Sequence, residues 1–120
     1  MAGMLYLVPT PIGNLSDISA RCRKTFEEAD FIAAEDTRVT LKLLNFLELK
    51  KPLVSYYEHN KLESGPKIVR RIQDGETCVL VSDAGSPAIS DPGEDLVRLC
   101  AEAGLTVCAI PGPCALVTAL

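Results

Sequence analysis

Six of the eight prolines in this 120-residue chain fall in three short segments that also carry glycine. They are Pro9-Thr10-Pro11-Ile12-Gly13-Asn14, Asp83-Ala84-Gly85-Ser86-Pro87-Ala88-Ile89-Ser90-Asp91-Pro92-Gly93 and Pro111-Gly112-Pro113-Cys114-Ala115. Proline fixes φ and glycine lacks a Cβ, so each segment is stiff and lets a ligand approach backbone N–H and C=O groups closely. That is the chemistry of a preorganised small-molecule pocket. Plain turn punctuation is the alternative for any one segment, and the three together favour the pocket. Two further segments carry polar groups of interest. Ala34-Glu35-Asp36-Thr37-Arg38 sets two carboxylates beside a guanidinium, or else caps a helix through Asp36 or Thr37. Tyr56-Tyr57-Glu58-His59-Asn60 offers rings and polar groups that can stack on and hydrogen-bond a base or ribose. His59, the single histidine, is otherwise a loop or capping residue.

Several common chemistries lack their signatures. There is no G-x-x-x-x-G-K-[ST] and the first segment lacks G-x-G-x-x-G, so phosphate cradling by a P-loop or a dinucleotide fingerprint is unsupported. Neither H-E-x-x-H nor G-x-S-x-G occurs, and no Cys/His cluster has ligand spacing. No metal site is expected.

The elements that must position these segments follow from hydrophobic period. Five short apolar runs, Met4–Val8, Phe31–Ala34, Leu53–Tyr56, Thr77–Ser82 and Thr106–Ile110, alternate with stretches of helical period, the pattern of βα units around a parallel sheet. The last two runs are nearly uninterrupted, as strands covered on both faces should be. Asp17–Ala29 brings Ile18, Cys22, Phe26 and Ala29 to one helical face, and Thr37–Leu47 does so with Leu43, Leu44 and Leu47. Lys61–Gln73 carries Leu62, Ile68, Val69 and Ile72, with Pro66 compatible only in the first turn. Gly93–Ala103 turns Leu96, Val97, Cys100 and Ala103 inward, and Gly104 is placed for a left-handed stop. Ligands of open parallel sheets bind beyond the carboxyl ends of the strands, where all of the segments above begin. Cys114–Leu120 reads as two turns of a helix interrupted before any capping signal, so a longer natural chain is expected.

Composition bounds the rest. With 48% hydrophobic and 23% charged residues, the chain suits one domain with its own core, and two full domains do not fit. Twelve basic against sixteen acidic residues give a net charge of −4, so no polybasic surface is available and nucleic acid must be gripped locally. The clusters Arg21-Arg23-Lys24, Lys50-Lys51 and Lys67-Arg70-Arg71 read as solvated faces or loops. Five cysteines without a C-x-x-C pair point to buried reduced thiols and a cytoplasmic setting. Met4–Pro9 is too short for a signal-peptide core and no segment is long enough to span a membrane.

The ordered series Leu7-Val8-Pro9-Thr10-Pro11-Ile12-Gly13-Asn14-Leu15-Ser16-Asp17, Ala34-Glu35-Asp36-Thr37-Arg38, Tyr57-Glu58-His59-Asn60, Ser82-Asp83-Ala84-Gly85-Ser86-Pro87, Ser90-Asp91-Pro92-Gly93 and Pro111-Gly112-Pro113 resembles the bacterial 16S ribosomal RNA cytidine 2′-O-ribose methyltransferases of the tetrapyrrole-methylase superfamily. The resemblance covers almost the whole chain. It implies an α/β fold, with residues 1–120 forming the N-terminal domain of a class III methyltransferase. The sheet would have five parallel strands in the order 3-2-4-1-5, and a second domain would lie outside this chain. It implies S-adenosylmethionine as methyl donor, with Ile12, Gly13, Asp83, Ala84, Gly85, Ser86, Pro87, Ile89, Pro113, Cys114 and Ala115 lining half of the donor cleft. Members usually carry serine where this chain has Cys114, and a thiol is a weaker hydrogen-bonding substitute. The implied partners are 16S rRNA in the small ribosomal subunit and a second copy of the chain, with no membrane.

Methyl transfer to a ribose hydroxyl needs alignment, exclusion of water and a base for the departing proton. Asp36 is the first candidate for the base, ahead of Glu35 and His59, with Arg38 orienting it or pairing with an RNA phosphate. The base can also come from the second domain. Two other readings stand beside this one. The same donor pocket can serve a tetrapyrrole or another small acceptor, or the fold can act as a non-catalytic sensing or interaction domain.

Overall fold

The computed structural model describes residues 3–9, 20–57, 59–82, 93–109 and 114–116. In chain order the elements are β1 (Met4–Pro9), α1 (Ala20–Glu28), β2 (Phe31–Ala34), α2 (Thr37–Phe46), β3 (Leu53–Ser55), α3 (Lys61–Gln73), β4 (Cys78–Ser82), α4 (Gly93–Glu102), β5 (Thr106–Ala109) and β6 (Cys114–Leu116). They form one sheet ordered β3-β2-β4-β1-β5-β6. The first five strands pair in parallel and β6 runs antiparallel to β5. The expected five-strand parallel order 3-2-4-1-5 is therefore present, with a short sixth strand at its edge. That strand corrects the helical reading of Cys114–Leu120 for Cys114–Leu116. Thr106, Val107 and Cys108 pair in register with Leu116, Ala115 and Cys114, so the ladder of β5 takes up backbone groups that helical period alone would have closed locally.

Strand alternation splits the core into two layers. Phe31 and Ala33 of β2, with Cys78 and Leu80 of β4, face Ile68, Val69 and Ile72 of α3 and Leu96 and Cys100 of α4. Ile32, Ala34, Val79 and Val81 face Cys22 and Phe26 of α1 and Leu43 and Leu44 of α2. Consecutive strand residues are thus apolar because both faces are covered. Each fully buried Leu, Ile or Phe contributes roughly 1.5–3 kcal/mol.

Three of the four described helices, α2, α3 and α4, end in the same way. In α4 the Gly104 N–H donates to the Ala101 carbonyl at 3.0 Å and the Leu105 N–H to the Cys100 carbonyl at 2.9 Å, a Schellman pair closed by Gly104 at φ 72°. The stop expected at Gly104 is present. Gly75 at φ 108° closes α3 in the same way, and Glu48, without the freedom of glycine, closes α2 at φ 59°. Pro66 lies in the second turn of α3, one turn later than the sequence reading allows. The site is exposed, so water can take the carbonyl that the missing N–H leaves unbonded.

Of the five cysteines, Cys22, Cys78 and Cys100 are free and buried. Burial pushes the Cys100 thiol up to about 12 and the Cys78 thiol higher still. Cys108 is disulfide-bonded, which corrects the expectation of reduced thiols throughout. Its strand is the one flanked by β6, where its backbone register partner is Cys114.

Candidate functional site

The topology gathers the segments singled out in the sequence. β4, β1 and β5 are neighbours and parallel, so the segments that follow them start from one rim. Pro9 and Ser82, the last residues of β1 and β4, are register partners. The chain leaves β1 and β2 toward the α1/α2 layer but leaves β4 toward the α4 layer. This divergence beside β4 is a switch point, where open α/β sheets bind ligands. Ile12, Gly13, Asp83, Ala84, Gly85, Ser86, Pro87, Ile89 and Pro113 themselves lie outside the described residues. Cys114 and Ala115 lie on β6, at the edge beyond β5.

The carboxylate segment starts at the same rim, one strand over. Ala34 pairs with Val81 on one side and Ser55 on the other. Asp36 is the N-cap of α2, in extended backbone at φ −115° and ψ 100°. Its Oδ1 accepts from the Arg38 N–H at 3.0 Å and the Val39 N–H at 3.4 Å. The capping reading is thus realised in the structure, and it leaves the same carboxylate at the rim. Arg38 Nε lies 3.8 Å from Asp36 Oδ1, with the Arg38 side chain 92% exposed. Glu35 is exposed.

The aromatic segment divides. Tyr56 is 1% exposed and packs in the α3/α4 layer, so its ring is part of the core and does not face the rim with Tyr57, a correction to its place in the Tyr56–Asn60 group. Tyr57 is 38% exposed, and its ring meets that of exposed His59 edge to face, centroids 6.0 Å apart at 66°. Asn60 ties the segment down, accepting from the Tyr57 N–H at 2.7 Å and donating to the Ser55 carbonyl at 3.0 Å. Glu58 lies outside the described residues.

A groove of about 340 Å³ that sequence reasoning missed opens between α3 and α4, lined by Tyr56, Lys61, Leu62, Pro66, Asp95, Arg98 and Leu99. Leu62, which helical period places with the inward residues of α3, is instead 86% exposed on this groove. Lys61 pairs with Asp95, and that hydrogen bond holds the Asp95 carboxyl below its ordinary range.

Several residues of the basic clusters are engaged within the fold. Arg23 contacts Glu27 and the Leu47 carbonyl, Lys51 donates to the Glu27 carbonyl at 2.7 Å, and Lys24 pairs with Glu28. Arg71 pairs with Glu76 at 2.8 Å and lies 3.7 Å above the Phe31 ring. That hydrogen bond lowers the Glu76 carboxyl and raises the Arg71 guanidinium. Among the described residues no group could hold a metal ion, and no helix is long and apolar enough to cross a membrane.

Known proteins bear on this geometry. Ribosomal RNA small subunit methyltransferase I of Halalkalibacterium halodurans is 55% identical over 118 residues, covering 98% of this chain and 41% of that protein. The proteins of the same name from Pasteurella multocida and Escherichia coli O157:H7 are 50% and 48% identical, covering 100% and 98% of this chain and 43% and 41% of theirs. The chain thus spans less than half the length of these relatives. Among solved structures, uroporphyrin-III-C-methyltransferase from Thermus thermophilus superposes with a TM-score of 0.68 at 18% identity, covering 93% of this chain and 48% of that one. Diphthine synthase superposes at 0.67 and 18%, covering 89% and 43%. These two likenesses show the fold alone. The sequence pattern of the tetrapyrrole (corrin/porphyrin) methylases matches residues 4–120, and the chain belongs to that family.

Proposed function

We propose that this chain is the N-terminal α/β domain of an S-adenosylmethionine-dependent enzyme that methylates the ribose 2′-oxygen of a cytidine in 16S rRNA. The observation that carries the reading is about 50% identity, over essentially the whole chain, to proteins named ribosomal RNA small subunit methyltransferase I. The chain supplies one wall of the donor cleft and a second domain the other. The enzyme works on the small ribosomal subunit, in the cytoplasm and as a homodimer.

When bound, S-adenosylmethionine supplies a methyl group made electrophilic by its sulfonium. The residues that hold it are Ile12, Gly13, Asp83, Ala84, Gly85, Ser86, Pro87, Ile89, Pro113, Cys114 and Ala115. The proline and glycine content of these segments suits them to orient the donor and exclude water. Asp36 accepts the proton of the ribose hydroxyl, with Glu35 the next candidate for that task. Arg38, exposed beside Asp36, orients the carboxylate or holds an RNA phosphate.

The test uses the full-length protein, radiolabelled donor and two acceptors, undermethylated small ribosomal subunits and a porphyrinoid. Label in the RNA, mapped to a cytidine 2′-oxygen, is the expected result. Label in the porphyrinoid alone overturns the proposal in favour of a small acceptor, and no label in either overturns catalysis.

A further inference from the structure

We propose that Tyr57 and His59 form a stacking corner for an unpaired base of the RNA. The inference rests on the rRNA reading above and adds a contact surface to it. The corner sits at the rim already described. Ser55 pairs in register with Ala34, and the Tyr56 N–H donates to the Ala34 carbonyl at 2.9 Å. The segment after β3 therefore leaves beside the segment that carries Asp36 and Arg38. Tyr56 turns into the core and Tyr57 turns out. Two exposed aromatic rings, that of Tyr57 first and that of His59 beside it, lie at 66° with centroids 6.0 Å apart. A flat heterocycle stacks on the first, and its polar edge meets the imidazole nitrogens.

The corner is preorganised. Asn60 accepts from the Tyr57 N–H and donates to the Ser55 carbonyl, while its own N–H donates to the Tyr57 carbonyl at 3.0 Å. This closed set of bonds fixes the backbone on both sides of the rings, so little conformational entropy remains to be lost on binding. Arg38 supplies a cation next door for the backbone phosphate, because its exposed 3.8 Å contact with Asp36 contributes little that a phosphate would have to displace. Net charge argues the same way. A chain at −4 in which Arg23, Lys51 and Arg71 bond internally offers little long-range attraction for RNA of its own, which favours short-range stacking as its contribution to affinity.

The test measures affinity of the full-length protein for an unmethylated 16S rRNA transcript across a salt series. Tyr57→Ala should weaken binding about 5- to 150-fold, the range of base–aromatic stacking, and His59→Ala about 2- to 12-fold, the range of one hydrogen bond, both with an unchanged slope of log affinity against log salt. Tyr57→Phe, which keeps the ring, should bind within about twofold of the unaltered protein. Arg38→Ala should instead flatten the salt slope by about 0.7–0.9. Donor affinity, measured alongside, should be the same for all four. If the unaltered protein binds RNA and the two alanine variants bind equally well, the corner is overturned and the rRNA reading survives. A Tyr57→Phe loss as large as that of Tyr57→Ala also overturns it. No RNA binding by the unaltered protein overturns both.

Discussion

Replacing Asp36 by asparagine and by alanine in the full-length protein separates two roles of one side chain. The Asp36 Oδ1 holds two amides at the start of α2, at 3.0 and 3.4 Å. Asparagine retains an oxygen at that position and caps helices about as well, so Asp36→Asn should change stability by less than ~0.5 kcal/mol. Alanine loses both bonds, at a cost of ~1 kcal/mol, or about 2–4 °C in melting temperature for a chain of a few hundred residues. Proton acceptance is a different quantity. A positioned base contributes ~10²–10⁴ in rate, and neither the amide nor the methyl group can take the proton. Both variants should therefore slow methyl transfer by about that factor, while only the alanine variant melts earlier. The assay is single-turnover transfer of radiolabelled methyl to undermethylated small subunits at saturating donor and RNA, beside a thermal unfolding curve. An Asp36→Asn rate within twofold of the unaltered protein would refute the base and leave a helix cap.

Three further outcomes follow from the fold. Glu48 occupies at φ 59° the place that glycine fills at the ends of α3 and α4, so Glu48→Gly should stabilise by about 0.5–1 kcal/mol in urea unfolding despite the looser unfolded chain. The Asp95 and Glu76 carboxyls are held low by hydrogen bonds from Lys61 and Arg71. The stability they contribute is fully present above the ordinary carboxylate range of about 4 and lost as pH falls through their lowered values. A pH series of urea midpoints should fall more gently below about pH 4 in the Asp95→Asn, Glu76→Gln double variant. Burial pushes the Cys100 thiol up to about 12 and Cys78 further, so at pH 8 an alkylating reagent should leave both unmodified in the native protein, read by mass spectrometry, and label both in urea.

Much of the scaffold was legible because both sheet faces are covered. β4 and β5 are continuous apolar runs, and α3 runs from Lys61 to Gln73 as its period indicates. The order of the strands was not in the period. It came with the resemblance, since which strands adjoin is decided by crossovers that local patterns do not encode. Tyr56 illustrates a second limit. Two adjacent tyrosines at a strand end look alike, and only the continuing alternation of β3 turns one inward and the next out. Asp36 illustrates a third, because a carboxylate before a helix reads equally as a cap, which the structure shows, and as the proton acceptor proposed above. The Cys114 segment was misread because its apolar run suits a helix or an edge strand equally, and pairing with β5 decided between them.

The sheet order has a consequence for how the molecule is made. β1 and β2, synthesised first, never touch each other, since β4 stands between them. Until residues 78–82 leave the ribosome, each keeps an open hydrogen-bonding edge, and the α1 and α2 layer has no continuous floor. A nascent chain halted before β4 is therefore two disconnected fragments of sheet rather than a smaller domain, and its exposed edges are where a chaperone or a stray second strand would attach.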